Sequence, residues 1–238
     1  MRMARKIIRI GPRGGLIIRE DGKRKEYQHK DSAPHVGHAA HPSVLDVADM
    51  DAAAAECFKG TLLHGMEHAV VRGSDGKVYT NRSGELDSVD FPAEETSRWP
   101  SGPTMTHTHR LGQGFSAADI IALFKVPLST SEVVAMRDEN GRPRDKPFRI
   151  YRFRLNLRHL TGDGFACLAS PELAQELWIR ALAGVVPGWR DAFDRGDITE
   201  EQAQCGIFDG TNRAVAHVLG LEYDVIGEPI HIGGYHGG

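Results

Sequence analysis

The pattern of apolar and polar positions predicts short strands over the middle of the chain. Apolar residues alternate with polar ones, or form short runs bounded by turn residues, at 64–72, 104–109, 132–136 and 148–155. The segment 77–80 follows the turn Gly-Ser-Asp-Gly and is predicted to form a hairpin with the strand at 64–72. Strands that alternate with helical segments in this way indicate an α+β core with a mixed β-sheet flanked by helices.

Helical patterns lie on both sides of these strands. An Ala- and Asp-rich segment predicts a helix over 42–58 with Ser43 as its cap, and a shorter helix is predicted over 116–125. Beyond residue 170, apolar residues recur at helical spacing over 171–185, 189–193, 199–204 and 212–219. We therefore expect a β-rich N-terminal extension at 1–60, a core at 61–165 and a helical C-terminal extension at 166–238.

Composition narrows the class of protein. A chain of 238 residues with 40% hydrophobic and 26% charged residues can bury a core without disulfides. Cys57, Cys167 and Cys205 are odd in number and form no Cys-x-x-Cys pair, which favours a reducing, cytoplasmic location over a disulfide framework. The net charge of -3 argues against a nucleic-acid partner, and the absence of an apolar run of about 20 residues argues against a membrane partner.

Histidines are concentrated in two places. His29, His35, His38 and His41 lie in a polar loop, which is interpreted either as a metal-binding tract or as a loop that contains histidines by chance. Both interpretations stay open at this point.

The second concentration is the segment 107–119. His107 and His109 are two residues apart on a predicted strand, so both imidazoles face the same side of the sheet. Asp119 would be a third ligand if the following helix returns beside the strand end, and Gly112 and Gly114 suit such a tight loop. A catalytic zinc ion needs about three protein ligands and an open position for water.

A structural interpretation of the same residues is equally available. Ser116-Ala-Ala-Asp119 fits a capping box at the start of a helix, with Phe115 and Ile120 as the hydrophobic staple. A His-x-His pair by itself is also more often a surface pair than a ligand pair. The residues alone leave the metal site and the capped helix open.

The string His107-Thr-His109-Arg-Leu-Gly-Gln-Gly-Phe-Ser116-Ala-Ala-Asp119 resembles the JAMM/MPN+ (JAB) metallopeptidase motif, His-x-His-Pro followed by Ser-x-x-Asp. It is most similar to the shorter-loop versions in phage-encoded and toxin-associated JAB-like proteins. The family also has a Glu on an earlier strand, where this chain has Glu67. The resemblance covers roughly residues 61–158 and implies a cytidine-deaminase-like JAB/MPN core. Arg110 stands where the family usually has Pro.

The resemblance implies a role for each residue. His107, His109 and Asp119 would hold Zn²⁺, Glu67 would act as general base, and Ser116 would stabilise the oxyanion. The implied function is that of a zinc-dependent peptidase or isopeptidase acting on a protein or peptide substrate. The C-terminal helices would pack on the core or bind a partner protein.

Two alternatives come from other classes of protein. One is an inactive JAB-fold scaffold or binding protein, because folds often keep the shape of a site without its activity. The other is an ADP-ribosyltransferase-like toxin, since Ser129-Thr-Ser131 with Arg152 or Arg154 resembles elements of that superfamily. The terminal Gly237-Gly238 is interpreted as a flexible tail.

Overall fold

A computed structural model describes residues 7–10, 16–20, 23–24, 50–86, 88–110, 112–126, 128–136 and 149–226. The chain divides into two compact units, Met1–His41 and Pro42–Gly238. In the first unit, an antiparallel sheet is formed by β1 (Ile7–Ile10), β2 (Leu16–Glu20) and β3 (Lys23–Arg24). The histidines at 29–41 and the terminal glycines lie outside the described residues.

The second unit is built on a six-stranded mixed sheet with the strand order β5-β4-β6-β7-β8-β9. Its strands are β4 (His68–Arg72), β5 (Val78–Ser83), β6 (Thr104–His109), β7 (Thr130–Ala135), β8 (Arg149–Arg154) and β9 (Glu222–Ile226). Only the central pair β6 and β7 runs parallel, and the other neighbours are antiparallel. The expected α+β class with a mixed sheet is confirmed.

Helices cover the sheet on both faces. They are α1 (Ala52–His64), α2 (Ala93–Thr96), α3 (Ala117–Lys125), α4 (Gly162–Ala169), α5 (Leu173–Asp194) and α6 (Glu200–Leu219). On one face Cys57 of α1 packs on Val70, while on the other Ile120 of α3 shares the main core with Val71 and Val133. Neighbouring strand residues point to opposite faces, so both sides of the sheet are buried. Within the described ranges, no helix has the length and apolarity that crossing a bilayer requires.

The first helix of this unit differs from its expected bounds. It begins at Ala52, where the Asp51 side chain caps it by accepting from the Ala54 N–H at 2.8 Å, and the expected start with its cap at Ser43 lies outside the described residues. It continues to His64 and ends at Gly65, whose φ of +67° gives the left-handed turn that closes many helices. The strand that follows therefore starts at residue 68, and the boundary expected at residue 60 falls inside α1.

Two long helices, α5 and α6, replace the four short ones expected beyond residue 170. The sequence suggests breaks at Pro187 and at Gly206 and Gly210, yet α5 continues through the proline and α6 through both glycines. A Cβ at Gly206 would collide with the ring of Trp189, and one at Gly210 would lie 2.8 Å from Val185. The glycines therefore allow α5 and α6 to pack closely, which local sequence does not reveal.

Strand β9 was not expected and completes the sheet after the last helix. It pairs antiparallel with β8, and the Tyr223 hydroxyl donates to Asp209 of α6 at 3.0 Å. Burial, with Asp209 nearby, raises the pKa of Tyr223. Trp178 of α5 is buried in the same core as the strands and packs on Phe208. The C-terminal segment is thus part of the core that carries the site described next.

Candidate metal centre

Two histidines lie at the carboxyl end of the central strand β6. His107 is opposite Val133 and His109 is opposite Ala135 on β7, so both face the side of the sheet that carries α3. Their side chains are 6% and 7% exposed. The ring centroids are 4.9 Å apart with the planes at 71°. Because β6 is hydrogen-bonded on both sides, the backbone fixes the separation of the two imidazoles.

The loop after β6 brings Asp119 back to this pair, as its glycines predict. Gly112 has a φ of +76°, and its N–H donates to the His109 carbonyl at 3.3 Å, which closes a tight turn. At the third position of α3, Asp119 places Oδ1 3.1 Å from Nε2 of His107 and Oδ2 3.5 Å from Nε2 of His109. The three side chains converge on one point.

The geometry of this cluster fits a metal ion. One ligand atom from each of His107, His109 and Asp119 lies within 4.8 Å of the others. Ligands of a tetrahedral zinc with bonds of about 2.0–2.1 Å are separated by roughly 3.3 Å, close to the His–Asp distances found here. Two imidazole nitrogens with one carboxylate oxygen also form a donor set that leaves one tetrahedral position open. These three residues could therefore hold a metal ion.

The hydrogen bonds of His109 also suit metal binding. Its Nδ1 lies 3.2 Å from the carbonyl oxygen of Gln113 and 3.0 Å from that of Gly114. Two acceptors require Nδ1 to carry a proton, which leaves the Nε2 lone pair available on the side of Asp119. The Nδ1 of His107 is buried and has no hydrogen-bond partner among the described residues.

Charge is the second feature of the cluster. Burial opposes the charged form of His109, but the negative charges of Asp119 and Glu67 outweigh it and raise the pKa of His109 to about 9. Burial likewise opposes ionisation of Asp119, but the two histidines hold its pKa well below its usual range. In the absence of metal, His109 and Asp119 therefore form an imidazolium–carboxylate pair. A metal ion must displace the proton in order to bind.

Ser116 and Asp119 form the capping box that the sequence predicts. The Ser116 backbone N–H donates to Oδ2 of Asp119 at 2.6 Å and its hydroxyl donates to the same oxygen at 2.7 Å. The hydroxyl oxygen in turn accepts from the Asp119 N–H at 3.4 Å. Because the other carboxylate oxygen faces His107, capping and metal binding do not exclude one another. The cap holds Asp119 in the position that a ligand would need.

Glu67 lies one residue before β4, the strand that pairs with the histidine-bearing strand β6. The register pairs Ala69 with His107, and its continuation by two residues sets Glu67 opposite His109 on the same face. Glu67 is 6% exposed, and its charge contributes to the raised pKa of His109. The structure therefore brings all five expected site residues to one end of the sheet.

Sequence reasoning missed the residues that support the loop from the other side. Asn212 of α6 is fully buried against Gly114, whose Cβ would lie 2.9 Å from the Asn212 amide nitrogen. The ring of Tyr151 on β8 lies on the same side, 3.4 Å from that Cβ position. Local sequence patterns do not indicate this role for either residue, because both are far from the loop along the chain.

The other residues singled out in the sequence lie elsewhere. His68 faces the α1 side and bonds Ser83 and Asn81 on β5. Ser131 is fully buried in β7, and Arg152 pairs with the buried carboxylate of Glu132 on the face opposite the histidines. These elements of the ADP-ribosyltransferase interpretation are therefore separate from the candidate metal centre.

The comparisons with known proteins identified no relative of this chain. A scan against protein-family models, a search of curated proteins and a search of solved structures each found no match to this chain.

Proposed function

We propose that this protein is a zinc-dependent peptidase or isopeptidase of the JAMM type. The observation that carries the proposal is the convergence of His107, His109 and Asp119, with the tautomer of His109 fixed by two backbone carbonyls. The position of Glu67 opposite His109 adds a general base on the neighbouring strand. The substrate is a protein or peptide, in keeping with the resemblance of the motif.

The metal ligands, Glu67 and Ser116 each have a separate role in the proposed hydrolysis. A zinc ion held by His107, His109 and Asp119 would supply a water with a pKa of about 7. Glu67 accepts the proton of that water and later delivers it to the leaving amine, so that one carboxylate serves as base and then as acid. Both donors of Ser116 bond Asp119 here, so an oxyanion role requires its hydroxyl to rotate towards the substrate.

An inactive scaffold on the same fold is the competing proposal. A variant of Glu67 and a matched control variant test the peptidase against this scaffold. We expect Glu67→Gln to keep stoichiometric zinc, measured by competition with a chromogenic chelator, and to lose hydrolysis of a peptide panel by at least about 10²-fold. The matched control is Glu176→Gln on α5, where Glu176 forms an exposed i,i+4 ion pair with Arg180 and changes little when neutralised.

Each outcome has a distinct meaning. Zinc bound without any hydrolysis by the unmodified protein favours the scaffold. Unchanged turnover in Glu67→Gln removes that residue as the base. Asp119→Ala is expected to weaken zinc binding, and a variant that binds zinc as tightly as the unmodified protein contradicts the proposed ligand set.

A further inference from the structure

A polar cavity of about 280 Å³ lies on the face of the sheet opposite the candidate metal centre. It opens where β6 and β7 begin and is lined by Thr104 and Thr130, the first residues of those strands, together with the first turn of α1. Thr104 and His109 stand at opposite ends of β6 and, being five residues apart, on opposite faces. This cavity is therefore separate from the candidate metal centre.

The floor of the cavity is a row of residues across four adjacent strands. Arg72 on β4 pairs with Thr104 on β6, Thr104 pairs with Thr130 on β7, and Thr130 pairs with Arg154 on β8. Neighbouring strands are about 4.8 Å apart, so the two threonines stand side by side, with an arginine on the strand to either side. Every side chain in this row is a hydrogen-bond donor.

Among the described residues that line the cavity, Arg72 is the arginine without an ion-pair partner. Arg152 forms an ion pair with the buried carboxylate of Glu132, and Arg154 bonds Asp224 on β9 at 2.6 Å. Arg72 has no ion pair or hydrogen bond within the described part of the chain, and its Nε is buried. A guanidinium with a buried, unpaired nitrogen is costly unless an acceptor binds it.

The remaining carboxylate of the lining, Asp51, forms no ion pair with Arg72 in the described part of the chain. The carboxylate of Asp51 accepts from the backbone N–H of Ala54 and caps α1. The first turn of α1, which contains Ala53, lines the cavity and contributes the positive end of the helix dipole. Arg152 and Arg154 are matched by Glu132 and Asp224, so the donors left for a ligand are those of Arg72, while Asp51 balances the charge of Arg72 in the lining.

We propose that this cavity binds a phosphate group, either as inorganic phosphate or at the end of a small phosphate ester. Arg72 provides a planar fork of donors and the two threonines provide hydroxyls, so several donors meet the oxygens of a tetrahedral oxyanion. The volume lies just below the range of about 300–1,000 Å³ typical of drug-sized ligand sites, which fits a compact ligand. The proposal is independent of the zinc chemistry at the other end of the sheet.

A calorimetric titration of the full-length protein with inorganic phosphate at constant ionic strength tests this site. We expect saturable 1:1 binding that is the same with and without a metal chelator, because the metal centre is not involved. Arg72→Gln should weaken binding by about tenfold or more, as loss of a charge-assisted hydrogen bond does. The control Arg180→Gln, on exposed α5, should stay within about twofold.

A second variant covers the case in which Arg72→Gln fails to fold. Thr104→Val with Thr130→Val removes both hydroxyls and keeps β-branched side chains suited to a strand, so it should fold and bind phosphate more weakly. Absence of saturable binding below roughly 10 mM in the unmodified protein would overturn the proposal. Unchanged affinity in both folded variants would do the same, and acetate binding as tightly as phosphate would overturn the assignment to phosphate.

Discussion

The loop that follows His109 gives a sharp test of how the site is built. The carbonyl oxygen of Gly114 accepts from Nδ1 of His109, and the Cα of the same residue lies against Asn212 and Tyr151. Gly114→Ala adds one methyl group at this point. Since the backbone of Gly114 does not have a positive φ, the substitution acts through steric contact rather than backbone strain.

The size of the effect follows from the distances. The new Cβ would lie 2.9 Å from the Asn212 amide nitrogen, whereas ordinary contacts begin at 3.4 Å. The Tyr151 ring is already at that 3.4 Å limit, so either the amide of Asn212 or the loop has to move. Overpacking of this kind costs about 1–3 kcal/mol, offset by about 0.4–1 kcal/mol from the stiffer unfolded chain. Under the proposed function, movement of the loop displaces the carbonyl that orients His109 and should reduce zinc affinity about 10–100-fold.

The assay combines chelator competition for zinc with urea unfolding, on Gly114→Ala, Asn212→Ala and the double variant. Both polar atoms of the Asn212 amide lack a hydrogen-bond partner among the described residues, so its removal should restore space at a small cost. We expect the double variant to recover most of the zinc affinity, with a coupling energy of about 0.5–3 kcal/mol.

One result would refute this reasoning. If Gly114→Ala binds zinc within twofold of the unmodified protein and unfolds at the same urea concentration, the loop backbone does not orient His109. Failure of Asn212→Ala to rescue a damaged Gly114→Ala would instead remove Asn212 as the group that meets the new methyl.

Three further predictions concern single substitutions. Gly60→Ala should destabilise the protein by about 1–3 kcal/mol in urea unfolding, because its Cβ would lie 2.5 Å from Cγ of the buried His68. Gly184→Ala should instead stabilise the protein by about 0.8–1 kcal/mol, because no atom lies within 4 Å of the added Cβ on the exposed side of α5. A loss of stability in this variant would contradict the packing of that helix. Ser116→Ala should cost about 1 kcal/mol by removing the cap that holds Asp119, and under the proposed function it should also lower turnover about 10²–10³-fold. A normal rate in a destabilised Ser116→Ala variant would leave Ser116 a structural role only.

Much of the candidate site could be predicted from the sequence, because the residues that define it are close together along the chain. Alternation along a strand puts His107 and His109 on one face whatever the rest of the fold does. The spacing of Ser116 and Asp119 fixes a capping box within one helical turn. A short loop with glycines limits how far Asp119 can lie from the strand end.

Tertiary structure alone decided the relations between distant segments. The register between β4 and β6 sets Glu67 opposite His109 and Arg72 beside Thr104, and a shift of one residue would turn each to the other face. Helix ends were also decided by packing, since α5 and α6 continue through residues that usually break helices.

Sequence by itself therefore determined the class of the fold and three residues that could bind a metal ion, because periodicity and capping act over a few residues. Only the tertiary structure decided that one carboxylate oxygen of Asp119 serves the cap while the other faces His107. It also decided that Asn212 lies against the loop and that Arg72, beside Thr104 in the sheet, has a buried Nε without a hydrogen-bond partner among the described residues. These relations depend on strand register and helix packing across many residues of intervening chain, which local patterns do not encode.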